Sequence, residues 1–138
     1  MKSTSAQIAH TTNVIIEIPA VVHDNPCVGE PVALHGSLHL VLTVASDQAG
    51  GFHVGNHLIA SYAGTGLVSD VPYRASEDKQ DVWNTRELPA SHTTTMMTRL
   101  ISQGGVDNAF IFTTVTTTID ANGVPAATVG NQWVECRG

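Results

Sequence analysis

Residues 32–62 read VALHGSLHLVLTVASDQAGGFHVGNHLIASY, and their period is two. Leu34, Leu38, Leu40, Leu42 and Val44 fall on one face of an extended chain, with His35, Ser37, His39, Val41 and Thr43 on the other. After Ser46-Asp47-Gln48-Ala49-Gly50-Gly51 the alternation resumes, setting Phe52, Val54, Leu58, Ala60 and Tyr62 against His53, Gly55, His57, Ile59 and Ser61. Two alternating runs joined by a short polar loop ending in glycines form a β-hairpin. One face is core and the other is more polar.

Working outward, Val14 to Val22 reads as a strand interrupted by Pro19, which implies an edge, a bulge or a split strand. His23-Asp24-Asn25-Pro26 and Gly29-Glu30-Pro31 carry turn chemistry. Residues 63–70, with Gly64 and Gly66, lead into a short strand over 71–76. Residues 77–89 hold six charged side chains and Trp83, and are open to reading as a strand, a short helix or a lid. Residues 91–102 are extended and rich in Thr, Gln103-Gly104-Gly105 breaks them, and Ala109 to Ile119 is a further strand. Asp120-Ala121-Asn122-Gly123 is a hairpin turn before a last strand over about 126–135. This predicts an all-β fold: a single antiparallel β-barrel of seven or eight strands, with a β-sandwich as the alternative. Residues 1–12 are expected to be a flexible N-terminal segment and 13–138 one barrel domain.

The size and composition agree. A chain of 138 residues has room for one core, and its 13% charged residues are about half the roughly 25% of an ordinary soluble domain. Six Lys and Arg stand against twelve Asp and Glu, with no basic run, so the electrostatic footprint of a nucleic-acid or anionic-membrane partner is missing. No run approaches the roughly 20 apolar residues of a membrane-spanning helix. The start, Met1-Lys2-Ser3-Thr4-Ser5-Ala6-Gln7, has no apolar stretch of signal-peptide length behind it. That is compatible with an intracellular protein or with a signal already removed. Cys27 and Cys136 have no zinc-type spacing. They are either two buried thiols or a bridge, and a bridge would bring the last strand beside the first and close the sheet.

Several short pieces, in order, carry a resemblance: Asn25-Pro26-Cys27 with Gly29-Glu30, Leu34-His35-Gly36-Ser37-Leu38-His39, Gly64-Thr65-Gly66-Leu67 leading to Tyr73, Arg99 to Gly104, Asp120 to Gly123, and Val134-Glu135-Cys136-Arg137. Together they resemble a group of small, mostly secreted bacterial β-rich proteins of undescribed function. The resemblance implies a β-barrel-like fold, a paired Cys27 and Cys136, and an exported origin. It implies no reaction. Residues 76–88 are more charged than that pattern. Among known architectures, the expected barrel is calycin-like or allene-oxide-cyclase-like.

No Gly-x-Ser-x-Gly elbow, phosphate-binding loop or dinucleotide fingerprint is present, so no cofactor is expected. Attention falls on the lumen. Leu38, Leu40, Phe52, Leu58, Tyr62, Met97, Ile111 and Val115 are the expected apolar lining, with Trp83 and residues 77–89 as a rim or lid. Tyr73 and Arg99 are the candidate polar or catalytic groups if both point inward. Three functions follow: a barrel holding a small apolar or amphipathic metabolite, a cofactor-free cyclase or isomerase acting on a polyene or polyketide-like substrate, or a structural module with a filled core. His35 and His39 share a face, as do His53 and His57. A suitable register would gather four imidazoles near a carboxylate such as Glu30 or Glu135, making a weak metal candidate against the plainer reading of solvated surface histidines. Val41, Ile59, Phe110 and Phe112 form an outward apolar set, which raises the possibility of a homodimer.

Overall fold

A computed structural model describes residues 9–47, 49–102 and 109–137. Every element among them is a strand: β1 (Ala9–Asn25), β2 (Glu30–Ser46), β3 (Phe52–Gly66), β4 (Pro72–Thr85), β5 (Ala90–Ser102), β6 (Ala109–Ile119) and β7 (Pro125–Cys136). Each pairs antiparallel with the next in a single sheet of order β1-β2-β3-β4-β5-β6-β7. The sheet curls until β7 lies beside β1, giving a nearly closed barrel. The predicted hairpin of residues 32–62 is the β2–β3 ladder, running from Val32 opposite Gly66 to Ser46 opposite Phe52. β1 includes Ala9 to Thr12, so the barrel begins before the expected boundary at residue 13. The region 77–89 resolves as the greater part of β4, followed by a four-residue connection. The expected break at Gln103-Gly104-Gly105 lies outside the described residues.

Two turns use one device. Asp47 Oδ1 accepts the backbone N–H of Ala49 and of Gly51, and Asp120 Oδ1 accepts those of Asn122 and Val124. Gly50 and Gly123 take the positive φ each turn requires. Pro19 acts as expected: the β1–β2 register shifts between Ile18 and Val21. A second shift in β7, opposite Thr113 to Val115, changes the phase of that strand and turns Gln132 inward.

Seven is an odd number, and this decides how the barrel closes. In an antiparallel meander β1 and β7 run in the same direction, so the closing pair is parallel, a slightly less stable ladder than its neighbours. No β1–β7 ladder forms among the described residues. The seam is bridged instead by the Cys27–Cys136 disulfide, with Cα atoms 5.1 Å apart, and by a hydrogen bond from His23 Nε2 to Gln132 Oε1 at 3.1 Å.

The interior is one apolar cluster. Leu38, Leu40, Leu42, Leu58, Leu100, Ile111 and Val115 each have 0% accessible surface, so no water-sized void touches them. A smaller group at the end opposite the disulfide, Val44, Val54 and Ile119 with Phe52, Trp83 and Leu88, plugs the barrel there.

Candidate ligand site between β4 and β5

The expected lining divides into three. Leu38, Leu40, Leu58, Ile111 and Val115 do face inward, and they fill the interior with their own side chains. Tyr62 is buried among them, its hydroxyl 2.8 Å from Thr113 Oγ1; burial pushes its phenol above the ordinary value, so it remains protonated at neutral pH. Phe52 and Trp83 belong to the plug. Met97 corrects the expectation: it points outward, 45% exposed, and Met96 takes the interior position. The same alternation turns Arg99 outward while Tyr73 faces the interior, so the two do not converge on one substrate group.

Tyr73 belongs to a polar cluster at the disulfide end. Its hydroxyl donates to Glu30 Oε2 at 2.9 Å and accepts from Asn25 Nδ2 at 3.2 Å. Glu30 Oε1 also accepts the backbone N–H of Ser69 at 2.5 Å and of Val68 at 3.1 Å. Gly66 makes this possible, since a Cβ there would lie 2.4 Å from Glu30 Oε1. The Ser69 backbone N–H leads in holding the Glu30 carboxyl below its ordinary value, with further hydrogen bonds from the Ser69 side chain, Tyr73 and Val68 opposed by desolvation. A depressed pKa means that the unfolded chain binds more protons, so stability rises with pH across the affected window. The contribution is fully present above pH 4.5 and is lost as pH falls through the lower folded value. Denaturant midpoints measured against pH therefore fall more steeply below about 4.5 in the wild type than in Glu30→Gln; superimposable curves would remove Glu30 from the acid response.

The site with unspent hydrogen-bonding capacity lies elsewhere in the wall. β4 and β5 pair only through Tyr73–Ala75 and Leu100–Ser102. Beyond these three pairs the ladder lapses until the chain crosses over at residues 86–89, leaving a slit closed at both ends. Side chains span it. Lys79 Nζ donates to Thr94 Oγ1 at 3.3 Å and to the Thr95 carbonyl at 3.1 Å. His92 Nε2 donates to Asp81 Oδ2 at 2.9 Å, and the His92 ring stacks on Trp83 with centroids 5.0 Å apart. Behind them Asn56, 3% exposed and opposite Asp81 in the β3–β4 ladder, donates from Nδ2 to Thr117 Oγ1 at 3.1 Å. Three buried polar atoms around this gap have no hydrogen-bond partner: Asn56 Oδ1, Trp83 Nε1 and, further along β5, Thr98 Oγ1. Each such group ordinarily costs about 1–3 kcal/mol if nothing meets it. Surface concavities of about 610 and 480 Å³ flank the connection at residues 86–89.

The histidines share the outer face as expected, but the register disperses them. His39 is opposite Ile59, His57 opposite Val41, His53 opposite Ala45 and His35 opposite Ala63. His39 bonds Asn13, His57 bonds Asp78 at 2.5 Å, and His53 bonds Asn84 and lies 3.6 Å from Asp47. Glu30 is engaged at the disulfide end, and Glu135 accepts Trp133 Nε1 at 2.7 Å. Among the described residues no three His, Cys, Asp or Glu side chains gather as a metal site. The outward apolar set is also divided: Val41 and Ile59 lie on β2 and β3, whereas Phe110 and Phe112 lie on β6. Phe112 is stacked on Trp133 at 5.3 Å with the Arg137 guanidinium 5.0 Å over its ring.

The fold and the slit define an all-β, nearly closed antiparallel barrel with a polar break in its wall. No protein-family model, curated protein or solved structure matches the chain.

Proposed function

We propose that this protein binds a small amphipathic molecule, and that the binding position is the β4–β5 slit rather than the centre of the barrel. The observation that carries the reading is the pair of unpartnered buried atoms on adjacent strands, Asn56 Oδ1 as acceptor and Trp83 Nε1 as donor, beside a lapse in the backbone ladder. A ligand bearing both a hydroxyl or amide N–H and a carbonyl meets them with its polar end. Its apolar part lies along the half-buried Trp83 ring and Lys79 stem. Binding is favoured over cyclisation because Tyr73 and Arg99 lie on opposite faces of the wall and the Tyr62 phenol is held protonated. An exported origin belongs to the same proposal; the disulfide is compatible with an oxidising compartment.

Native mass spectrometry of protein taken from its producing cells tests this. The expected result is a bound mass that denaturation releases, lost in Asn56→Leu while the fold is kept. Removing one buried hydrogen-bond partner weakens binding by roughly 5- to 100-fold. A second reading, a structural or interaction module, is favoured by the complete burial of the interior leucines. It predicts a bare mass for both proteins, and that outcome would replace the binding proposal.

A further inference from the structure

We infer that Cys27–Cys136 is a site of thiol–disulfide exchange with a dithiol partner, and that its cleavage opens the β1–β7 seam while the rest of the barrel remains folded. Three observations combine. The seam is the one place in the strand order where neighbouring strands share no backbone ladder among the described residues. Among the described residues, what spans it is the disulfide and the His23–Gln132 hydrogen bond, and the half-buried apolar side chains on either side, Val14 and Ile16 on β1 and Val129 and Val134 on β7, pack against the core. Finally, Cys136 is the exposed last residue of β7, whereas Cys27 is half-buried against the core. Attack is therefore directed at Cys136.

The exchange balances without further reagents. A thiolate of the dithiol attacks Cys136 Sγ, a mixed disulfide forms, and Cys27 leaves as a thiolate that takes a proton. The second thiol of the partner then attacks the partner's own sulfur in the mixed disulfide, releasing Cys136 and carrying two electrons to the protein. The partner ends as a disulfide and the barrel as a dithiol. With the covalent tie gone, β1 and β7 become the two free edges of an open seven-stranded sheet. Their inward apolar residues, which no ladder holds in place across the seam, meet water. The other strands retain both neighbours except at the slit.

Hydrogen exchange read by mass spectrometry, with and without dithiothreitol under native conditions, tests the inference, with alkylation counting the thiols. Two alkylated cysteines are expected. Amide protection should fall at least about tenfold further in peptides from β1 and β7 than in those from β2 and β3, because local opening exposes the units with the weakest ties first. Cys27→Ser/Cys136→Ser should reproduce the pattern without reductant. Three outcomes would overturn the idea: a disulfide that dithiothreitol does not reduce in the folded protein, protection lost equally in all strands, or protection lost in none. None of these readouts depends on a ligand in the slit, so the inference and the binding proposal fail separately.

Discussion

Leu58→Ala is expected to destabilise the protein by about 2–5 kcal/mol, read as a lower denaturant midpoint at unchanged slope. Leu58 has no accessible surface and belongs to the main cluster with Leu38, Leu40 and Ile111. Truncation removes apolar transfer energy and leaves a void that the surrounding strands, tied by long ladders on both sides, collapse onto only in part. The same variant tests whether the barrel is filled. A dry apolar void accepts benzene or xenon, and a ligand that binds only the folded state raises the melting temperature. Saturating benzene should therefore stabilise Leu58→Ala and leave the wild type unchanged. Equal stabilisation of both proteins would mean that free space already exists beside the interior leucines, which would return weight to a central lumen.

Cys27→Ser/Cys136→Ser is the second large effect. The bridge joins residues 109 positions apart. Closing a loop of about that length restricts the unfolded chain by roughly 4–5 kcal/mol in the chain-entropy account, so the double variant should lose about that much global stability. Domains of ordinary stability, about 5–15 kcal/mol, retain a folded majority after such a loss at 25 °C except at the lower end. Equilibrium denaturation of the oxidised protein and the double variant, compared at neutral pH, checks the figure. A difference below about 1 kcal/mol would show that the unfolded chain gains little freedom from the missing tie.

The hairpin of residues 32–62 was legible because its inward positions, Asn56 apart, are apolar or small, and most of its outward positions are polar. Strand β4 was not. Its inward residues beyond Ala75 include Lys79, Asp81 and Trp83, and these polar groups, which span the slit, erase the alternation by which a strand declares itself. The residues that make the site of interest are thus the ones that hide its secondary structure. In β5, Thr94-Thr95-Met96-Met97 gives no phase, because each inward residue has a near copy beside it; hence Met97 was placed where Met96 lies. The histidines were legible as a face but not as a cluster, since spacing within a strand says nothing about register between strands. Glu30 was named only as a carboxylate near the histidines, and its actual engagement gave no signal. Its partners are backbone amides of residues 68 and 69 and a tyrosine 43 positions away, contacts that exist only once β2, β3 and β4 are assembled.

The bond between residues 27 and 136 also changes what a protease can do to this molecule. Covalently, the chain from Cys27 to Cys136 is a closed ring, and β1 lies outside it on the segment before Cys27. A single cut in the Asp47–Gly51 turn, in the crossover at residues 86–89 or in the Asp120–Val124 turn opens the ring, yet releases no fragment: mass is gained as one water and every strand remains attached. Separation needs two cuts, or one cut and a reductant. An oxidised protein nicked at one of these turns would run as a single species of nearly unchanged mass, and only reduction would show that it had been cleaved.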